Sequence, residues 1–220
     1  MKYDIQDLHV SPYPRNEEIA NTLTHGMGIV LSGLGLYLLF VEANQTGDSW
    51  KIWSSLVFGS CMIIGYSCST LYHASTNPKF KHQMRIADHI GIYLMIAGTY
   101  TPFVLVNLRG WIGWTFFILI WGCAFFGICL RILNKHVPNY VSVGPYLFMG
   151  WLVIIGIKPL YDSIGSTGLT LIVLGGVFYS IGVVFYSSER IPFNHAIWHI
   201  FVLAGSISHY LAISLEVIPS

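Results

Sequence analysis

Three histidines and one aspartate fall where long apolar stretches begin and end. His73 closes one apolar segment, Asp88 opens the next, and His195 and His199 open the last. In a chain that crosses a membrane in simple alternation, all four groups lie at the same face. Ionisable groups at the edge of the hydrocarbon are costly, so several in one layer mark a functional site. His195 and His199 are four residues apart, hence on one helix face, and two imidazoles so spaced can bind one metal ion. Ser69 and His73 share that spacing. Three neutral imidazoles suit zinc. A three-histidine shell with a free fourth position is the pattern of a catalytic ion rather than a structural one. The expected centre is therefore a membrane-embedded zinc site with His73, His195 and His199 as ligands.

Asp88 has two readings in such a site. It is either a direct ligand or a base that hydrogen-bonds a metal-bound water and takes its proton. Ser69 is either an outer donor to the ligands or a group that steadies a developing oxyanion. Each residue alone is weak evidence. A histidine near a helix end ordinarily packs, an HxxxH pair has many causes, and Asp88 with Arg85 also reads as an interfacial ion pair. The coincidence of layer carries the assignment.

The elements that must position these groups are membrane helices. Only 10% of the 220 residues are charged and 54% are hydrophobic, with mean hydropathy +0.62. Soluble domains carry roughly 25% charged residues. Apolar stretches long enough to span recur along the whole chain. Seven spans are expected, near residues 23–43, 52–73, 86–108, 111–130, 140–157, 169–186 and 195–217. The fold class is all-α: an integral membrane bundle of seven transmembrane helices at 23–220, preceded by a polar cytoplasmic segment at 1–22. Connections are brief, with turn chemistry at 75–78, 107–110, 134–139 and 165–168. No secretory signal is evident, and the first span is expected to direct insertion.

Orientation follows from the lysine and arginine bias. Lys2, Arg15, Lys79, Lys81, Arg85, Arg131, Lys135 and Arg190 fall on the amino-terminal side, against Lys51, Arg109 and Lys158 opposite. Eight against three predicts a cytoplasmic amino terminus and a place in the plasma or inner membrane. This topology is the reverse of a G-protein-coupled receptor. A net charge of +1, without a basic run, argues against nucleic acid as a partner and leaves membrane lipid. Few charges fall at mid-span, where ion-coupled transporters place theirs.

The remaining signals read as structural. Cys61, Cys68, Cys123 and Cys129 lie in apolar segments without CxxC spacing. Trp50, Trp53, Trp111, Trp114 and Trp151 read as an interfacial belt. His25 is expected to hydrogen-bond within the bundle, with an outer partner of the site as its alternative, His89 to point away from Asp88, and His209 to sit in the other membrane half. His9, His82 and His136 read as solvent-side. Pro102 is expected to kink the third span, with Thr99 and Thr101 satisfying the freed backbone.

Four stretches together carry a family resemblance. They are ExxxNxxTHGxG at Glu17 to Gly28, SxxxH at Ser69 to His73, DHxGIYxxIAGTYTPF at Asp88 to Phe103, and HxxxH at His195 to His199. With these, nearly the whole chain resembles the bacterial hemolysin-III family, within the progestin and adipoQ receptor superfamily. The resemblance implies seven helices, a cytoplasmic amino terminus and zinc held by His73, His195 and His199. It also implies that Asp88 reaches the metal through a water, with Ser69 beside it. For function it implies a multi-pass membrane metalloprotein that hydrolyses lipid amides or esters, as a ceramidase does. The alternative it implies is a non-enzymatic regulator or sensor of membrane lipid, or a pore-forming haemolysin with structural zinc.

Overall fold

A computed structural model describes residues 13–133, 139–188 and 190–219. Lys2, His9, Lys135 and His136 therefore lie outside the described residues, as does most of the 1–22 segment and of the 134–139 turn. The described residues form helices and no strand. Helix α1 spans Arg15–Thr46, α2 Ser49–Ala74 and α3 Pro78–Pro102, the last prolonged by a π-helical turn at Phe103–Asn107. Helix α4 spans Trp111–Leu133. Helix α5, Asn139–Trp151, passes through a tight 3₁₀ stretch, Leu152–Gly156, directly into α6, Ile157–Tyr186. Helix α7, Asn194–Ala212, ends in a second π-helical turn at Ile213–Val217.

Local chemistry sets several ends. The Asp48 carboxylate accepts from the Trp50 N–H at 2.8 Å and opens α2. Asn77 does the same for Phe80 at 3.1 Å, with Pro78 in the first turn of α3. Pro102 brings no N–H to the ladder, and the backbone answers with a wider turn in which Leu108 N–H bonds the Phe103 carbonyl at 3.1 Å. The two threonines act differently from expectation. Thr99 and Thr101 donate to the Met95 and Ala97 carbonyls, at 2.7 and 2.8 Å, rather than to that of Gly98, four residues before the proline.

Six segments are long and apolar enough to cross a membrane: 15–46, 49–74, 78–107, 111–133, 143–186 and 194–217. The expected fifth and sixth spans are joined in one segment of 44 residues with no loop between them. The sequence signal for a turn at 165–168 has a narrower meaning. Gly165 alone leaves the helical region, at φ 66 and ψ −169, a conformation open to glycine and strained for other residues. Helices α1 and α3 also begin about two turns before the apolar spans do. Hydropathy marks only the apolar part of a helix, and these polar turns carry Glu17, Glu18, Asn21, Lys81 and Arg85.

The helices pack as α1 on α2, α2 on α3, and α6 on α7. At the centre of the α2–α3 crossing, Gly65 meets Gly91. A Cβ on Gly91 would lie 2.9 Å from the Gly65 Cα, so only glycine permits this approach. Ser69 stands one turn beyond Gly65 and Asp88 one turn before Gly91, and the antiparallel crossing sets them opposite each other. One apolar core, with Phe58, Tyr66, Ile164 and Val202, ties α2, α6 and α7 together. A second, with Tyr93, Ala97, Ile120 and Met149, ties α3, α4 and α5. Trp53 and Trp111 stay exposed, as a belt requires. Trp151 does not: its indole N–H donates to Ser180 at 3.1 Å. A tryptophan within a bundle needs a partner for that N–H.

Candidate metal centre

Two helices deliver the three expected ligands to one point. His73 comes from the last turn of α2, and His195 and His199 from the first two turns of α7. One ring nitrogen from each lies within 4.8 Å of the other two. The ring centroids are 4.9 Å apart for His73 and His195, 5.2 Å for His73 and His199, and 4.5 Å for His195 and His199. All three side chains are buried, His199 to within 1%.

A single stretch of chain, Tyr13 to Thr24, contacts the outer nitrogen of every ring. His73 Nδ1 lies 2.6 Å from Glu18 Oε2. His195 Nδ1 lies 3.1 Å from the Tyr13 hydroxyl. His199 Nδ1 lies 3.0 Å from Thr24 Oγ1 and 3.3 Å from the Asn21 carbonyl. These partners fix two tautomers. A carbonyl only accepts, so His199 carries its proton on Nδ1; an ionised carboxylate only accepts, so His73 does too. Each then offers an Nε2 lone pair. The Nε2 atoms of His73 and His195 are buried without a hydrogen-bond partner. Unpartnered inner nitrogens with tethered outer nitrogens are what a zinc shell of imidazoles requires, so the donor set fits that ion.

Asp88 stands apart from the three. It is absent from the group of convergent ligand atoms and lies in the wall of a cavity with Arg85 and His195. Its carboxylate has Ser69 beside it and feels the charges of Arg85 and Arg131.

The cavity holds about 380 Å³ between α3, α5, α6 and α7. Asp88, Arg85 and His195 form its polar end. Apolar side chains such as Met95, Phe103, Leu160 and Val202 line most of the remainder, as far as Leu108, with Thr99, Ser180 and His209 among them.

Other expectations fare differently. His25 makes no hydrogen bond: both ring nitrogens are buried without partners. Its ring instead stacks on His199 at 3.4 Å and 14° and meets Tyr66 edge-on at 5.0 Å. It therefore belongs beside the cluster. His209 lies in the other half of the bundle, as expected, with Nε2 3.2 Å from the Ile172 carbonyl. His89 turns its Nδ1 to the Arg85 carbonyl at 2.8 Å. Sequence reading missed Tyr13 and Glu18. The signal for Glu18 was a polar stripe, Glu18, Asn21 and His25, at helical spacing on the front of an apolar helix. Glu17, singled out in the first motif, serves the backbone: Oε1 accepts from the Phe193 N–H at 3.3 Å. Phe193 has φ 57 and leads directly into α7.

Buried imidazoles, a nearby carboxylate and an apolar cavity inside a bundle of membrane-length helices define a helical membrane protein with a candidate metal centre. The family described as haemolysin-III related matches residues 13–210, and the chain belongs to that family. It is 43% identical to hemolysin-3 of Bacillus cereus over 204 residues, covering 93% of each chain. It is 45% identical to the hemolysin-3 homolog of Bacillus subtilis (strain 168) over 197 residues, 90% of this chain and 92% of that one. Similarity extends to the monocyte to macrophage differentiation factor of Homo sapiens, 30% identical over 203 residues, 90% of this chain and 83% of the other.

Proposed function

We propose that this protein is a zinc-dependent hydrolase of a lipid amide or ester, embedded in the plasma membrane. One observation carries the proposal: Asp88 and His195 both face the polar end of a cavity that is otherwise largely apolar. A water and a scissile carbonyl meet at that end while an acyl chain lies in the remainder. From Arg85 to Leu108 the cavity follows α3 for about 35 Å at 1.5 Å per residue, a length that accommodates an extended chain.

His73, His195 and His199 would hold the ion through Nε2. Zinc, when bound, supplies Lewis acidity and eases loss of a proton from water at neutral pH. The other parts belong to the protein. The Asp88 carboxylate holds the attacking water and takes its proton, then returns it to the leaving nitrogen or oxygen. Ser69 keeps that carboxylate aimed. Arg85, on the same wall, offers positive charge where negative charge develops. The apolar side chains along α3, α6 and α7 exclude bulk water.

We further infer seven crossings with the amino terminus in the cytoplasm. Support comes from registers along the 143–186 segment. Tyr146 bonds the His89 carbonyl at 3.1 Å near one end of α3, and Asn107 bonds Ser163 at 3.0 Å near the other. Beyond Gly165 the chain returns, since Gly175 abuts His209 and Gly182 abuts Trp198. Arg15, Lys79, Lys81, Arg85, Arg131 and Arg190 gather at the histidine end, against Lys51, Arg109 and Lys158 opposite.

The test is turnover of fluorescent lipid amides and esters by purified, zinc-loaded protein. Hydrolysis that Asp88→Ala abolishes supports the proposal. Zinc-loaded protein that hydrolyses none of them, or does so equally well as Asp88→Ala, overturns it. Dye release from liposomes, undiminished in Asp88→Ala, would mark a pore with structural metal instead.

A further inference from the structure

Of the three imidazoles, only His73 has a charged partner on its outer nitrogen. His195 meets the Tyr13 hydroxyl, and His199 meets the Thr24 hydroxyl and a carbonyl. Glu18, by contrast, is bridged. One oxygen lies 2.6 Å from His73 Nδ1 and the other 2.9 Å from Lys81 Nζ. The three side chains are nearly enclosed, at 0%, 15% and 9% exposure for His73, Glu18 and Lys81. Lys81 is itself fixed: Nζ donates to the Ser75 carbonyl at 3.3 Å and the His73 carbonyl at 3.5 Å, and lies 5.1 Å from the centre of the Tyr72 ring. It thus caps the end of the helix that carries His73 while holding the carboxylate that orients the His73 ring.

We propose that Glu18 is a positioning residue, held by Lys81, that commits the Nε2 lone pair of His73 to the metal and makes this ring the strongest donor of the three. The proposal rests on the zinc assignment above. A carboxylate behind a ligating imidazole fixes its tautomer and raises its donor strength, and loss of such a partner typically weakens metal binding 10–100-fold. Lys81 neutralises the carboxylate, so the pair adds no net charge to a site surrounded by lipid.

A purely fastening ion pair is broken equally from either side, which gives the test. Wild type, Glu18→Ala, Glu18→Gln and Lys81→Met are purified into nanodiscs and loaded with zinc, and separately with cobalt(II). Zinc loss to a chelator and the visible bands of cobalt are then followed. Glu18→Ala is expected to lose zinc about 10–100-fold faster. Glu18→Gln should lose it less quickly, because its amide oxygen still accepts from Nδ1. Lys81→Met leaves the Glu18–His73 contact in place and should lose zinc more slowly than Glu18→Ala, while lowering the melting temperature. The cobalt bands should shift most in Glu18→Ala and least in Lys81→Met. Equal zinc loss in Glu18→Ala and Lys81→Met, with unmoved bands, overturns the proposal and leaves the zinc assignment standing. A folded wild type that takes up neither metal overturns both.

Discussion

The two ends of the bundle handle polar groups differently. At the end opposite the histidines, most polar contacts are local or exposed. Lys158 pairs with Asp162 one turn away, at 83% and 57% side-chain exposure. Arg109 contacts Asp48 with half its side chain in the open. Lys51 is the buried one, and its ammonium caps the chain by donating to the Ile218 carbonyl at 2.8 Å. Exposed pairs of this kind contribute about 0–1 kcal/mol. At the histidine end, α1, α2, α3 and α7 turn polar side chains toward each other in the interior. Asn21, His73, His195 and His199 are each at most 7% exposed. Fastening a bundle needs no such arrangement. Burying this many polar groups around unpartnered nitrogens is costly unless something occupies the centre.

The contrast can be broken or sharpened in four ways. The largest effect is expected of His195→Ala, which should reduce bound zinc to background together with all turnover; elemental analysis beside wild type measures it. Asp88→Ala comes next. It should keep its zinc and lose turnover by about 10²–10⁴-fold, the usual worth of a positioned acid or base. Equal zinc loss in the two variants would make Asp88 part of the shell. Third, Gly91→Ala forces apart the crossing that sets Asp88 against Ser69. Overpacking should cost about 1–3 kcal/mol, read as a lower melting temperature in detergent, with turnover reduced. Gly33→Ala, where an added Cβ meets nothing within 4 Å, is the control that should leave both unchanged. The smallest effect belongs to the opposite end. Lys51→Met should cost about 1 kcal/mol without changing zinc content or turnover. A loss of zinc there would mean that the two ends are coupled.

Much of this was legible in the sequence, for physical reasons. Apolar runs reveal spans because lipid allows little else. The meeting of His73, His195 and His199 followed from alternation of spans, since each ends or opens a stretch at one face. The part played by α1 was hidden. Tyr13 and Glu18 precede the apolar run, and hydropathy is blind to a helix that continues beyond the hydrocarbon. The joining of α5 to α6 was hidden too, because the 3₁₀ stretch Leu152–Gly156 between them is as apolar as a span, while the turn signal at 165–168 amounts to one glycine at φ 66 inside α6. Trp151 looked like belt because its N–H partner, Ser180, lies 29 residues away. Spacing placed Asp88 at the histidine end, and the structure sets it in the cavity wall with His195.

The contacts behind His195 and His199 join positions 182, 178 and 175 residues apart. During synthesis the leading helix enters the bilayer with Asn21, Thr24 and His25 lacking their mates, and waits for the final one. If the proposed centre takes up its ion, loading would have to follow synthesis of α7, and a nascent chain cut before α7 would present raw polar edges to membrane proteases.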